Sequence, residues 1–251
     1  MSARSPILIA GAAGLLGTAI ADALVERGGR LVLADLHTEP LEALAQRLGA
    51  DAVPLAEALD FRDEERVLRF VSSATSAVGH LAACVNAVGI EGPIVPTDQL
   101  DLDTVRDVYE TNVFAAVSLV KAIVPGMRTR GEGRIINIAS GAGLSGGEFM
   151  SAYHSSKHAM VGLTRSMARE LAALGISVNA VCPGCIESPM LERIELALSE
   201  LKGEPTSFIP RIPAGRYANP REIANVVAYL VLDAPRYLTG SSLLVDGGLY
   251  A

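Results

Sequence analysis

Ile7-Leu8-Ile9-Ala10-Gly11-Ala12-Ala13-Gly14-Leu15-Leu16-Gly17 decides how this chain folds. Four apolar residues run without interruption, as in a strand covered on both faces. Three glycines follow, each three residues after the last, and helical spacing then continues over 15–27. A strand that turns through glycine into a helix gathers free backbone N–H groups and the positive end of a helix dipole in one place. Glycine is needed there for the sharp turn, for backbone approach to a pyrophosphate and for close packing of helix on strand. Gly11, Gly14, Leu15, Leu16 and Gly17 are therefore candidate dinucleotide contacts, although a glycine pattern alone also fits close packing.

The same alternation continues along the chain. Apolar runs at 30–34, 52–55, 81–87, 134–139, 176–182 and 242–245 are expected as strands. Segments 41–48, 64–77, 103–129, 152–174 and 220–232 carry helical spacing. Asn219, Pro220 and Glu222 form a start signal for the last helix. Strand and helix in turn imply an α/β, doubly wound, Rossmann-type fold: a single, mostly parallel seven-stranded sheet with helices on both faces. No repeat or low-complexity linker divides the chain, so 1–251 is expected as one domain. Only 187–216 breaks the rhythm, with Pro189, Pro205, Pro210 and Pro213 and a short helical pattern at 191–201. It lies just past a strand's carboxyl end, where ligands bind in such sheets, and is expected as a substrate lid.

Composition excludes several classes. Half of the 251 residues are hydrophobic and a fifth are charged, which rules out general disorder. The net charge of −7 repels phosphate backbones, so nucleic acid is not an expected partner. No apolar run nears the roughly 18 residues of a membrane span, and the first residues lack the layout of a signal peptide. A soluble, cytoplasmic protein is expected. The three cysteines are too few for a disulfide framework. Cys182-Pro183-Gly184-Cys185 has C-x-x-C spacing, but Pro-Gly reads as a turn, and structural zinc would need further ligands. No metal site is expected; His154 and His158, four residues apart, have no third ligand in view.

Asp35 closes the second strand, eighteen residues past Gly17. A carboxylate there accepts the hydroxyls of an adenosine ribose and repels a 2′-phosphate. Leu36, His37 and Thr38 follow it, and the glycine turn holds no basic residue, so NAD is expected in preference to NADP. The alternative for Asp35 is a turn or helix-capping role. Tyr153 and Lys157 are four apart in a helical segment and so share a face. An ammonium beside the phenol favours the phenolate; lowering a tyrosine pKa by about three pH units corresponds to ~4 kcal/mol. Ser140 ends a strand thirteen residues earlier, Asn112 sits among apolar neighbours in a helix, and Asn86-Ala87-Val88-Gly89 ends another strand.

With the glycine turn, Pro183-Gly184 and Val245-Asp246-Gly247-Gly248, these residues resemble the short-chain dehydrogenase/reductase family, compact single-domain branch, from Ile7 to Gly248. The resemblance implies Tyr153 as general acid/base and Lys157 as the group that holds the nicotinamide ribose. It implies Ser140 as the holder of the substrate oxygen and Asn112 as the anchor of a water relay. Cofactor contacts would come from Gly11, Gly14, Leu15, Leu16, Gly17, Asp35, Leu36, Asp60, Phe61, Asn86, Ala87, Gly89, Tyr153, Lys157, Pro183, Gly184, Ile186 and Ser188. Two departures stand out: Ala10 replaces the branch's Thr, and the glycine spacing matches the extended branch. Leu144, Phe149, Met150 and Met190 are expected, with Ser140 and Tyr153, to form a largely apolar substrate pocket with no cluster of Arg or Lys.

The activity implied is NAD-dependent interconversion of a secondary, cyclic or sugar-like alcohol and its ketone. A second reading is reduction of 3-oxoacyl groups on an acyl carrier protein or CoA. Leu174 stands where such enzymes carry a basic residue, although Arg128, Arg130 and Arg134 could compensate. A third is a non-catalytic dinucleotide sensor. The 223–232 helix and 242–245 strand resemble the surface through which relatives form tetramers, so a homotetramer, or a homodimer, is expected.

Overall fold

The structure is a computed structural model and describes residues 5–251. The apolar runs form strands β1 (Pro6–Ala10), β2 (Arg30–Asp35), β3 (Leu55–Ala58), β4 (Ala83–Asn86), β5 (Gly133–Ile138), β6 (Ile176–Pro183) and β7 (Ser242–Val245). They join one sheet in the order β3-β2-β1-β4-β5-β6-β7, every pair parallel. The order reverses between β1 and β4, which opens a crevice at the strands' carboxyl ends. Helices α1 (Leu15–Val25), α2 (Thr38–Leu48), α3 (Glu64–Val78), α4 (Leu102–Tyr109), α5 (Ala115–Arg130), α6 (Ser151–Leu171), α7 (Pro189–Lys202) and α8 (Pro220–Leu232) complete the fold.

Alternation along β1 divides the core. Ile7 and Ile9 pack with Ile20, Leu24, Ile223 and Val227 on one face. Leu8 and Ala10 pack with Phe70, Leu119, Met127 and Met167 on the other. Ile7, Leu8 and Ile9 are wholly buried, worth about 1.5–3 kcal/mol each. Both faces are covered, which is why the run is apolar throughout rather than alternating.

Three expected elements shift. The third strand runs over Leu55–Ala58, not 52–55. Leu31 N already bonds to the Ala52 carbonyl at 2.7 Å, but Pro54 has no N–H and the regular ladder begins after it. The expected 103–129 helix is interrupted by a π-helical turn at Glu110–Phe114, centred on Asn112. The run Leu102–Arg130 has the length and apolarity of a membrane span, yet half of its most apolar window is buried inside the protein. The expected 152–174 helix ends at Leu171; a 3-10 turn, Ala172–Leu174, leads to Gly175 at φ 75°. The start of α8 is as read: Asn219 and Glu222 form a reciprocal capping box ahead of Pro220.

The excursion after β6 is largely helical, and α7 is longer than its pattern at both ends. Its two ends are tied together, Glu187 N to Ala218 O at 3.0 Å and Ala218 N to Cys185 O at 2.9 Å. It therefore stands as a closed loop over the carboxyl edge of the sheet.

Candidate active site

The glycine turn is held without the Thr hydroxyl. Gly11 N and Ala12 N both bond to the Ala34 carbonyl, at 2.9 and 3.1 Å. Ala13 N donates to Asp35 Oδ2 at 2.9 Å, and His37 N donates to Oδ1 at 3.0 Å. A Cβ on Gly17 would stand 2.0 Å from the Gly11 carbonyl oxygen, and one on Gly11 (φ 75°) would stand 2.8 Å from the Ala87 carbonyl carbon. No side chain fits at either position. Gly14 precedes α1 with no side-chain cap, so the first N–H groups of the helix face outward unclaimed by a side chain. The turn thus has the free donors and bare backbone that a pyrophosphate requires.

One cavity of about 900 Å³ joins this turn to Ser140, Tyr153 and Lys157. Ser140 follows β5 in extended conformation and its Oγ accepts from Ala142 N at 3.1 Å. Its hydroxyl stands near enough to the Tyr153 phenol to favour the phenolate. Helical spacing on α6 sets Lys157 Nζ 5.6 Å from the Tyr153 ring centre. Nζ donates to the Ile138 carbonyl at 3.2 Å.

The expected depression of the Tyr153 pKa is absent from this state. Burial pushes the phenol above its ordinary value, with the Ser140 hydroxyl pulling the other way, and Lys157 makes no appreciable contribution. Burial also lowers Lys157, to about 8. Desolvation disfavours both charged forms and outweighs their attraction across the gap.

Asn112 is a clamp. Its Oδ1 accepts from Ile90 N at 2.8 Å, and its Nδ2 donates to Ile90 O and Ser156 Oγ, each at 3.0 Å. A water anchored there, as the resemblance implies, would use the remaining Oδ1 lone pair or a carbonyl loosened by the π-helical turn.

The other expected cofactor residues divide. Ala87, Gly89, Pro183, Gly184, Ile186 and Ser188 line the cavity. Ser188 Oγ also caps α7 by accepting from Leu191 N at 3.1 Å. Asn86 is buried and spends its Oδ1 on Val88 N, shaping the β4 turn from outside the cavity. Leu36 is exposed and outside the lining; Asp60, half-buried, is outside it too, its carboxylate gripped by Arg62 at 2.7–3.0 Å. Phe61 is also outside the lining, its ring buried in the core among the cluster of Leu8 and Phe70.

At the substrate end, Met150 and Met190 line the cavity with Ser140 and Tyr153, but Leu144 and Phe149 do not. Leu144 is 39% exposed on the turn after Ser140. Phe149, at φ 62°, packs against Met150, Ile194 and Leu198 and supports the wall from behind. No cluster of Arg or Lys was expected there, yet three cations reach the cavity. Arg193, Lys202 and Arg211 all line the cavity from the excursion. Arg193 pairs with Glu91 at 2.6 Å and Lys202 with Glu148 at 2.7 Å, while Arg211 lies 5.9 Å over the Phe208 ring. They are nine residues apart in sequence, so no local charge cluster announces them.

Cys185 and Tyr250 line the cavity too and were not foreseen. Cys182 and Cys185 are free thiols; burial raises both, Cys185 to about 11, far from the thiolate that redox chemistry uses. His154 Nδ1 lies 2.8 Å from the Ser145 carbonyl, which braces the turn that follows Ser140.

Comparison with known proteins agrees with this geometry. Residues 11–250 match the family described as Enoyl-(Acyl carrier protein) reductase. The 3-oxoacyl-(acyl-carrier-protein) reductase FabG of Vibrio cholerae is 34% identical over 97% of this chain and 96% of its own. An NAD+-bound xylitol dehydrogenase superposes with a TM-score of 0.91 at 32% identity, covering 97% of this chain and 98% of that one. An actinorhodin polyketide ketoreductase variant solved with NADPH gives 0.92 at 32% identity, covering 98% and 97%. The chain belongs to the short-chain dehydrogenase/reductase family and is an oxidoreductase of CH–OH and keto groups.

Proposed function

We propose that this protein, a single-domain cytoplasmic enzyme, interconverts a secondary alcohol and its ketone with NAD, the excursion 187–216 serving as the substrate lid. The observation that carries this reading is the shared cavity: the glycine turn and the Ser140–Tyr153–Lys157 group open into the same space. The glycine cradle fits the pyrophosphate of NAD; Asp35, buried beside the turn and outside the cavity lining, would take the adenosine ribose, with Pro183, Gly184, Ile186 and Ser188 at the nicotinamide end. The nicotinamide supplies or accepts the hydride. The chain's own residues do the rest. Ser140 holds the substrate oxygen, and Tyr153, protonated at neutral pH, donates to that oxygen as a ketone is reduced. Lys157 would hold the nicotinamide ribose; Asn112 keeps Ile90 and Ser156 in register. Hydride and proton are thus delivered to carbon and oxygen of one carbonyl in a fixed arrangement.

Lys157 gives this reading a pH signature. Its folded value, about 8, lies below the usual lysine value, so the ammonium is lost as pH rises through about 8. At saturating ketone, kcat/KM for NADH reports groups of the free enzyme. It is expected to be flat below that pH and to fall above it, with the limb absent in Lys157→Met. A profile rising through pH 8 would contradict the role. A panel of secondary and cyclic ketones, sugars and a 3-oxoacyl thioester, each with NADH and NADPH, tests the activity itself.

Arg211, which has no carboxylate partner among the described residues, favours a second reading, a 3-oxoacyl thioester substrate, because it would face the anionic carrier. Turnover of the thioester alone would select it. Assembly is proposed through α8 and β7, where Tyr229 and Leu244 are 43% and 36% exposed. Light scattering at micromolar concentration is expected to give a tetramer or dimer; a monomer would refute the assembly.

A further inference from the structure

The stretch after β7 returns to the catalytic turn. Asp246 organises it: Gly248 N donates to Oδ1 at 3.0 Å and Tyr250 N to Oδ2 at 2.7 Å. Gly247 and Gly248 take φ of 65° and 90°, which lets the chain reverse. The Gly247 carbonyl accepts from Ala214 N at 3.0 Å, fastening the stretch to the far end of the excursion. Its last contact is Tyr250 on Gly141. A Cβ on Gly141 would lie 2.4 Å from Tyr250 Cε2, so the ring rests directly on the residue after Ser140. Tyr250 lines the cavity, its charge would be felt by Tyr153, and its hydroxyl has no hydrogen-bond partner among the described residues. This is a built feature: a carboxylate, two glycines and a bare Gly141 surface together place one aromatic ring.

We propose that Tyr250 is a specificity-determining residue whose ring forms the wall of the substrate end beside Ser140 and limits the bulk accepted next to the reacting carbonyl. The inference rests on the cavity being a ketone and alcohol site. The ring is the wall, so removing it widens the cavity, whereas removing only the hydroxyl does not. Tyr250 sits on Gly141, which adjoins the Pro183 carbonyl of the proposed nicotinamide end, so the Kd for NADH below checks that the cofactor's seat is unchanged.

The test compares Tyr250→Ala and Tyr250→Phe with the parent on two ketones that differ only in bulk beside the carbonyl. Tyr250→Ala is expected to raise the bulky-to-small ratio of kcat/KM by about 10-fold or more, the scale on which pocket volume discriminates. Tyr250→Phe should keep the parent ratio and so rescue selectivity. The Kd for NADH, by fluorescence, should be unchanged in both. An unchanged ratio in Tyr250→Ala, or equal loss on both ketones, would overturn the proposal and leave Tyr250 as a support for the Gly141 turn. A ratio shifted equally by Tyr250→Phe would also overturn it, placing the effect in the hydroxyl.

A second measurement needs no turnover. Cys185 lines the cavity, while Cys84 and Cys182 are buried. Tyr250→Ala is expected to speed labelling by a bulky maleimide relative to a small methanethiosulfonate. An unchanged rate ratio sinks the wall even if no ketone is turned over. Faster bulky labelling in a protein inert to every ketone would instead sink the proposed activity and keep the wall.

Discussion

Replacing Tyr153 with Phe is expected to lower kcat for ketone reduction by about 10²–10⁴-fold, the range contributed by a positioned proton donor. The substitution removes one oxygen and leaves the ring's packing intact. In the parent, burial keeps the phenol protonated at neutral pH, and the proposed mechanism has Ser140 and Tyr153 meet one substrate oxygen. Without the phenol, Ser140 still holds that oxygen but must give up a proton from a far less acidic hydroxyl. Cofactor binding uses the glycine turn, so Kd for NADH should change by less than about twofold, and the melting temperature should hold because no packing is lost. Steady-state kinetics beside fluorescence titration checks both. A variant retaining more than a tenth of parental kcat would show that another group supplies the proton.

The second large effect concerns Asp35. The pair Asp35→Ser with Leu36→Arg is expected to shift the NADP-to-NAD ratio of kcat/KM by about 10²-fold or more, equivalent to ~2.7 kcal/mol. The Asp35 carboxylate is 6% exposed and fixed by Ala13 N and His37 N, so it cannot turn away from a 2′-phosphate. Two unit charges 4 Å apart near a surface repel by about 4 kcal/mol. Leu36 is 56% exposed, so an Arg there costs little and supplies a counter-charge. The same change removes two backbone contacts and should lower stability by about 1–3 kcal/mol. Parental preference for NADPH would refute the cofactor assignment directly. Relatives solved with NAD+ and with NADPH make that comparison decisive.

Local patterns were legible and remote ones were not. The run from Ile7 to Gly17, the alternation of strands with helices and the capping residues of α8 depend on neighbours within a few positions, and the structure follows them. The Tyr153–Lys157 spacing is likewise a property of one helix. β3 slipped by three residues because the pairing partner, and not its own weak apolarity, chose the register around Pro54. The π-helical turn escaped because Asn112 is clamped to Ile90, twenty-two residues away.

By itself, then, the sequence determined the parallel α/β architecture and the glycine turn between β1 and α1, and it singled out Ser140, Tyr153 and Lys157 as candidates, since backbone geometry and helical spacing are short-range. Only the tertiary structure decided that Phe61 is core and Leu144 lies outside the cavity lining. It alone brought Arg193, Lys202 and Arg211 to one cavity and laid Tyr250 on Gly141. It also decided the proton balance, for desolvation depends on everything packed around a group, and that raised Tyr153 where its charged neighbour alone would have lowered it.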